Sequence, residues 1–208
     1  MRLRQFVFVV RDLPAAVQEM RDILGLETCF SDPVAGEFGL KNAMFPIGGN
    51  FFEIIAPVTD GTTAERFLDR RGGHGGYMMM LQSADALADR ERNLAAGVRS
   101  IWEYTEPKVI ATHFDPRDVP GAILSIDTMH PGTNIHRESG HWEWAGPEYQ
   151  HYQRDFTSRA LVAVELQVTD PAGAADIWGR VTGDPVRSGP SGPELILDNA
   201  RIRFVPVL

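Results

Sequence analysis

The chain repeats itself, and internal repetition limits the architecture before any single residue is interpreted. Residues 5–13, QFVFVVRDL, form a short apolar run ending in Arg-Asp, followed by a helix-like stretch and Gly25. Residues 163–171, AVELQVTDP, do the same and lead to Gly183. The two copies also close alike, with NFFEIIAPV from Asn50 to Val58 and NARIRFVPV from Asn199 to Val207. A third copy lies between them, from about Gly76 to Asp127.

Each copy reads as strand, helix, then strands. Phe6 to Val10 has the Val and Phe content of a strand, and Asp12 stands where a helix N-cap is wanted. Leu13, Ala16, Val17, Met20, Ile23 and Leu24 recur at amphipathic spacing, and Gly25 suits the helix stop. Strands are expected over 27–32, 36–45 and 51–56, with Gly48-Gly49-Asn50 as a tight hairpin. The second copy reads as strand 77–82, a helix with Leu87, Leu94, Ala95 and Val98 inward, and strands near 99–104, 109–114 and 122–127. The third has strand 161–168, Asp170-Pro171 at a helix start, and 194–197 and 202–207 as clear final strands. The expected class is α+β: tandem βαβββ modules forming an open, cupped mixed β-sheet barrel with helices outside, plus a partial third module. The expected boundaries are 1–130 for the paired modules (1–57 and 76–128), 131–157 for a connecting segment and 158–208 for the third module. The connecting segment carries HWEWAGPEY from His141 to Tyr149 and is too aromatic for a flexible linker. It reads as an ordered crossover or as a lid.

Other features narrow the function class. A net charge of −8 argues against a nucleic-acid backbone binder, which needs a basic face. Cys29 is the only cysteine, so no intrachain disulfide forms. The first apolar run is too short for a secretory signal or a membrane span, and the reading places the protein in the cytoplasm.

Glu53 sits between Phe52 and Ile54 in a strand with a buried face. It either meets a metal or partner, or has a raised pKa and acts as a base; the bland alternative is a solvent-facing edge residue. Ile202 falls in the equivalent slot of the third copy, which suggests an inward-facing position. His113 and Asp115 share a face if their strand is regular, so Asp115 either orients the imidazole or belongs to the following turn with Asp118. Ser125 and Asp127 also share a face. His130, His136, His141 and His151 match no compact metal motif and read as surface or interface residues. Met78-Met79-Met80 reads as core or pocket lining, and Gly72-Gly73-His74-Gly75-Gly76 as a hinge between modules.

Tandem βαβββ units with this helix entry and a polar residue in the closing strand resemble the vicinal oxygen chelate superfamily, which includes glyoxalase I, methylmalonyl-CoA epimerase, extradiol dioxygenases and bleomycin-resistance proteins. The resemblance covers 1–57 and 76–128, with 160–208 as a partial module. It implies ligands to a divalent metal on the first and last strands of each module, here Gln5 and Glu53, with His74 reaching in by a register shift. In the second module the corresponding positions fall near Gly76 and at Ser125, neither a usual ligand, and Asp127 would take over from Ser125. A two-histidine, one-carboxylate iron site for ring cleavage is not present at the matching positions. The implied function is binding of a small organic ligand in a cupped pocket. One form is a metal-dependent lyase or isomerase (Zn, Ni, Mn or Fe) acting next to a carbonyl, with Glu53 and His113 as catalytic groups and Ser125, Asp127 and Asp115 lining the pocket. The alternative is a metal-free binder of the bleomycin-resistance kind, using Trp102, Trp142 and Trp144. Because modules in this superfamily pair, the odd third module implies a homodimer.

Overall fold

The structure is a computed structural model that describes residues 1–129, 134–137 and 139–207 of the 208. The chain forms two compact units.

The unit made of 5–78 and 141–160 holds the first module. Strand β1 (Arg2–Val9) leads to helix α1 (Leu13–Leu24). Asp12 caps α1 as expected, its carboxylate accepting from the Ala15 N–H at 3.1 Å, and Gly25 ends it in the left-handed conformation at φ 66°. The strand expected at 27–32 is reduced to one bridge, Phe30 with Met44. Its place is taken by a 3-10 turn over Pro33–Phe38, because Asp32 accepts from the Val34 N–H at 3.0 Å and turns the chain. Strands β2 (Leu40–Ile47) and β3 (Asn50–Pro57) follow as an antiparallel hairpin, and β3 pairs in parallel with β1. Helix α2 (Thr63–Arg71) was not legible in the sequence, because it has only two buried residues, Ala64 and Leu68. The glycines after it divide their roles: Gly72 caps α2, and Gly75 opens strand β4 (Gly75–Gln82).

The pleat sorts this sheet into two faces. Gln5 lies opposite Phe51 and Val7 opposite Glu53, so Gln5, Phe51 and Glu53 share one face. Phe6, Phe8 and Phe52 share the other, where Phe52 stacks on Phe6 with ring centroids 4.6 Å apart and meets Phe8 edge-on at 5.5 Å. Each such pair contributes about 0.5–1.5 kcal/mol beyond its buried area. The aromatic crossover packs on the Gln5 face: Tyr149 meets Phe51 edge-on at 4.8 Å, and Trp142, Trp144 and Tyr149 are buried.

The unit made of 1–4, 79–140 and 161–208 holds the remaining modules. Helix α3 (Ala86–Ala95) and strands β5 (Ser100–Glu106), β6 (Val109–Phe114) and β7 (Ile123–Met129) give the sheet order β4-β7-β6-β5. Arg90 on α3 is buried and fastens β5 to β6, donating to the Thr112 and Thr105 hydroxyls and to the Tyr104 and Ala111 carbonyls at 2.7–3.0 Å. The third module comprises β8 (Ala163–Val168), α4 (Pro171–Thr182), β9 (Val186–Gly189), β10 (Gly192–Ile196) and β11 (Arg201–Pro206), in the order β8-β11-β10-β9. It has the full βαβββ order. The short, polar β9 is the strand that the sequence does not reveal. Trp178 anchors α4, buried against Phe204 at 5.9 Å and donating its indole N–H to the Pro120 carbonyl at 2.8 Å.

The repeat is exact at the helix entries. Asp12, Asp85 and Asp170 each accept from the amide three residues on, at 3.0–3.1 Å, which satisfies one of the unpaired donors of each first turn.

Candidate functional site

Backbone hydrogen bonds fix which positions correspond between modules. The Val10 amide donates to the Ile55 carbonyl, and the Ser83 amide to the Asp127 carbonyl. Counting back along both strands, Gln5 corresponds to Met78, and Glu53 to Ser125. Ser125 therefore stands where expected, but the first-strand counterpart is Met78 rather than Gly76. In the third module Glu165 pairs with Arg203 as Val7 pairs with Glu53, so Glu53 corresponds to Arg203. Ile202 corresponds to Phe52, one residue away from the slot expected from the sequence, and in a strand one residue exchanges the faces, so Ile202 does not indicate where Glu53 points.

Glu53 is nevertheless buried, 8% exposed, because the crossover covers its face. Gln5 and Asn42 are buried with it. Gln5 Nε2 donates to Glu53 Oε2 at 2.7 Å, and Asn42 Nδ2 donates to Glu53 Oε1 at 2.6 Å. The amides are themselves held: the Trp142 indole N–H donates to Gln5 Oε1 at 2.7 Å, and the Asp32 amide and Ser31 hydroxyl donate to Asn42 Oδ1 at 2.9 and 3.2 Å. These donors settle which end of each amide faces the carboxylate. Burial pushes the Glu53 carboxyl up to about 7, aided by the nearby Asp32 charge and opposed by the Asn42 and Gln5 hydrogen bonds. Burial also raises Asp32, with Glu37 and Glu143 adding to the effect.

The expected metal ligands Gln5 and Glu53 are committed to hydrogen bonds within this arrangement. Both Glu53 oxygens accept amide N–H groups, and the one Gln5 atom able to ligate a cation accepts the Trp142 indole N–H. His74 is exposed, and its carbonyl accepts from Arg71 Nε at 3.1 Å. Among the described residues no three His, Cys, Asp or Glu side chains gather as a metal set. Gln5, Glu53 and His74 do not fit a divalent ion, which needs lone pairs converging on one open point.

Asn42 was missed by sequence reasoning, although a polar residue inside LKNAMFPI was an available signal. Trp142 was singled out only as a ligand-holding ring; its indole N–H has a partner within the chain.

His113 lies in the other unit. It pairs with Ser125 across the sheet and with Trp102 on β5, whose ring is 4.4 Å from the imidazole. Burial pushes its pKa down to about 3, so it stays neutral. Asp115 does not orient it. That carboxylate accepts from the Arg117 amide at 2.9 Å and is paired with the Arg117 guanidinium, which holds its pKa below the usual range. Asp118 serves the same turn, accepting from the Arg99 amide and guanidinium. Ser125 and Asp127 are fully buried, and the Ser125 hydroxyl donates to Asp127. Trp102 and Tyr104 stack at 5.4 Å on the half-buried face beside His113. Of the remaining histidines, His136 and His151 are exposed, His141 pairs with Glu143 at 2.7 Å, and His130 lies outside the described residues.

The model of the glyoxalase-like domain matches residues 6–182, more than half of the chain. The chain belongs to the glyoxalase-like domain family. That family lies within the vicinal oxygen chelate superfamily. The glyoxalase-like match ends with α4, before β9 to β11. An ethylmalonyl-CoA/methylmalonyl-CoA epimerase of Cereibacter sphaeroides is 25% identical over 133 residues, 62% of this chain and 98% of that protein. Among solved structures, Streptomyces coelicolor methylmalonyl-CoA epimerase aligns with a TM-score of 0.55 at 24% identity, over 62% of this chain and 97% of that one. The Mycobacterium tuberculosis methylmalonyl-CoA epimerase gives 0.55 at 21%, over 62% and 89%. These likenesses establish the fold. No helix among the described residues is long and apolar enough to cross a membrane.

Proposed function

We propose that this glyoxalase-like protein is an isomerase or lyase acting on the carbon next to a carbonyl, with Glu53 as the base. The observation that carries the reading is a buried carboxylate raised to about 7 and held in one orientation by two amides. A base with a pKa near the working pH combines a useful ionised fraction with a real driving force for proton transfer. Ionised Glu53 takes the α-proton; the C–H electron pair moves into the carbonyl to give an enolate; once the enolate has turned its opposite face to protonated Glu53, return of the proton from Glu53 to that carbon completes an epimerisation and regenerates the base. Asn42 and Gln5 keep the carboxylate from turning away. Because Trp142 covers Gln5, substrate reaches Glu53 only after the crossover lifts.

The epimerase likeness makes an acyl-CoA thioester with an acidic α-carbon the first compound to test. Incubation of purified protein with methylmalonyl-CoA in deuterated buffer should show α-proton loss by mass spectrometry, abolished in Glu53→Gln. Absence of exchange with thioesters and small 2-oxo compounds alike would refute the base.

A second reading is metal-free ligand binding without chemistry. It is favoured by the closed hydrogen-bond network around Glu53 and by the half-buried Trp102 and Tyr104 rings beside neutral His113. Ligand-dependent quenching of tryptophan fluorescence, lost in Trp102→Leu and retained in Glu53→Gln, would support it.

A further inference from the structure

We propose that Arg66 and Arg70 of α2, together with the Tyr77 hydroxyl near the start of β4, form a binding site for a phosphate group. Helix α2 runs into the glycine turn at 72–76, and β4 then carries Tyr77 back beside the helix. The Phe67 ring meets the Tyr77 ring edge-on, with centroids 5.3 Å apart. Residues three and four apart share a helix face, so Thr63, Arg66, Phe67 and Arg70 lie together on the side of α2 that meets Tyr77. The buried residues of α2 are Ala64 and Leu68.

The donors on this side lack a matching acceptor. Among the described residues the half-buried Tyr77 hydroxyl has no hydrogen-bond partner, and the exposed Arg70 guanidinium makes neither a hydrogen bond nor an ion pair. Arg66 donates to the Gly61 carbonyl at 2.5 Å and to the Thr63 hydroxyl at 3.0 Å, both uncharged acceptors. Burial raises the pKa of the Tyr77 hydroxyl, opposed by the nearby Arg66 and Arg70 charges, so the group stays protonated at neutral pH and able to donate.

No carboxylate of α2 neutralises this pair of cations. Glu65 accepts from the Gly61 amide at 2.5 Å, and Asp69 is paired with Arg11 at 2.6 Å. Like charges four residues apart on one helix face repel, and an anion held between them removes that repulsion. Arg70 also lies in the last turn of α2, where a cation complements the helix dipole. That role explains neither Arg66, one turn earlier, nor the unpaired hydroxyl. Guanidinium forks suit phosphate oxygens, and a phosphate monoester carries about two negative charges and three acceptor oxygens, enough for both cations and the phenol. The site goes beyond the reading of Glu53 as a base and does not depend on it.

The phosphate has two sources, inorganic phosphate and the phosphate monoester of a nucleotide. NMR titrations of the full chain with inorganic phosphate and with adenosine monophosphate separate them, in wild type, Arg70→Gln and Tyr77→Phe. The expected result is saturable binding that shifts the Tyr77 ring signals and is weakened at least about tenfold in each variant. Arg70→Gln should leave the melting temperature in phosphate-free buffer unchanged, because the residue is exposed and unpaired. Tighter binding of the monophosphate identifies a nucleotide as the source, and equal binding identifies free phosphate. Failure of both ligands to bind overturns the proposal, as does binding that either variant leaves unchanged.

Discussion

The raised Glu53 carboxyl makes a quantitative prediction about stability. A carboxyl whose folded pKa exceeds its unfolded value binds protons more tightly in the folded state. The stability this contributes is present in full below the ordinary value of 4.5 and is lost as pH rises to about 7. This is the reverse of a salt-bridged carboxylate. At about 1.4 kcal/mol per pH unit, the interval from 4.5 to about 7 corresponds to about 3 kcal/mol. Glu53→Gln removes the titration. It also turns an NH2 group toward either Asn42 or Gln5, donor against donor, at a cost of about 1–3 kcal/mol that does not change with pH. Urea unfolding of both proteins across this range separates the two effects. The variant should gain about 3 kcal/mol relative to wild type between pH 4.5 and a pH above about 7, whatever the constant offset. A difference that stays flat with pH would show that Glu53 titrates normally, and the proposed base would lose its physical support.

Trp142→Phe replaces the fully buried indole by a smaller ring and deletes the donor to Gln5 Oε1; the unpaired buried acceptor should cost about 1–3 kcal/mol by urea unfolding, the lost volume adds to that cost, and an unchanged midpoint would mean the crossover is not anchored there. The half-buried His113 imidazole, lowered to about 3 by desolvation, should keep its neutral-form NMR shifts across the physiological range, so a midpoint near 6.5 would show that water reaches the ring. Gly146 has φ 76°, and a Cβ there would come within 2.6 Å of the Phe30 ring; Gly146→Ala should destabilise by about 1–3 kcal/mol in thermal or urea unfolding, whereas Gly36→Ala, with open space around it, should be close to neutral.

How much the sequence showed depended on the range of the interaction. The Asp caps, Gly25 and the Gly48-Gly49 hairpin were legible because each is satisfied within a few residues. The strand expected at 27–32 failed because a local Asx turn at Asp32 competed with the sheet and won. Helix α2 was hidden by its largely exposed polar face, and β9 by its shortness. Gln5 and Glu53 were brought together in the sequence only by the resemblance, and the parallel pairing of β1 with β3 places them on one face.

The sequence by itself determined the repeated βαβββ order, the helix entries and the strand positions of Gln5 and Glu53. Tertiary structure decided what those residues do. Trp142, 137 residues from Gln5, returns to cover the face, and Asn42 arrives from a neighbouring strand to take the other carboxylate oxygen. Burial and hydrogen bonding between distant segments have no local sequence signature, because they depend on which surfaces meet. That meeting converts a pair resembling metal ligands into a closed network around one carboxyl with a pKa near neutrality.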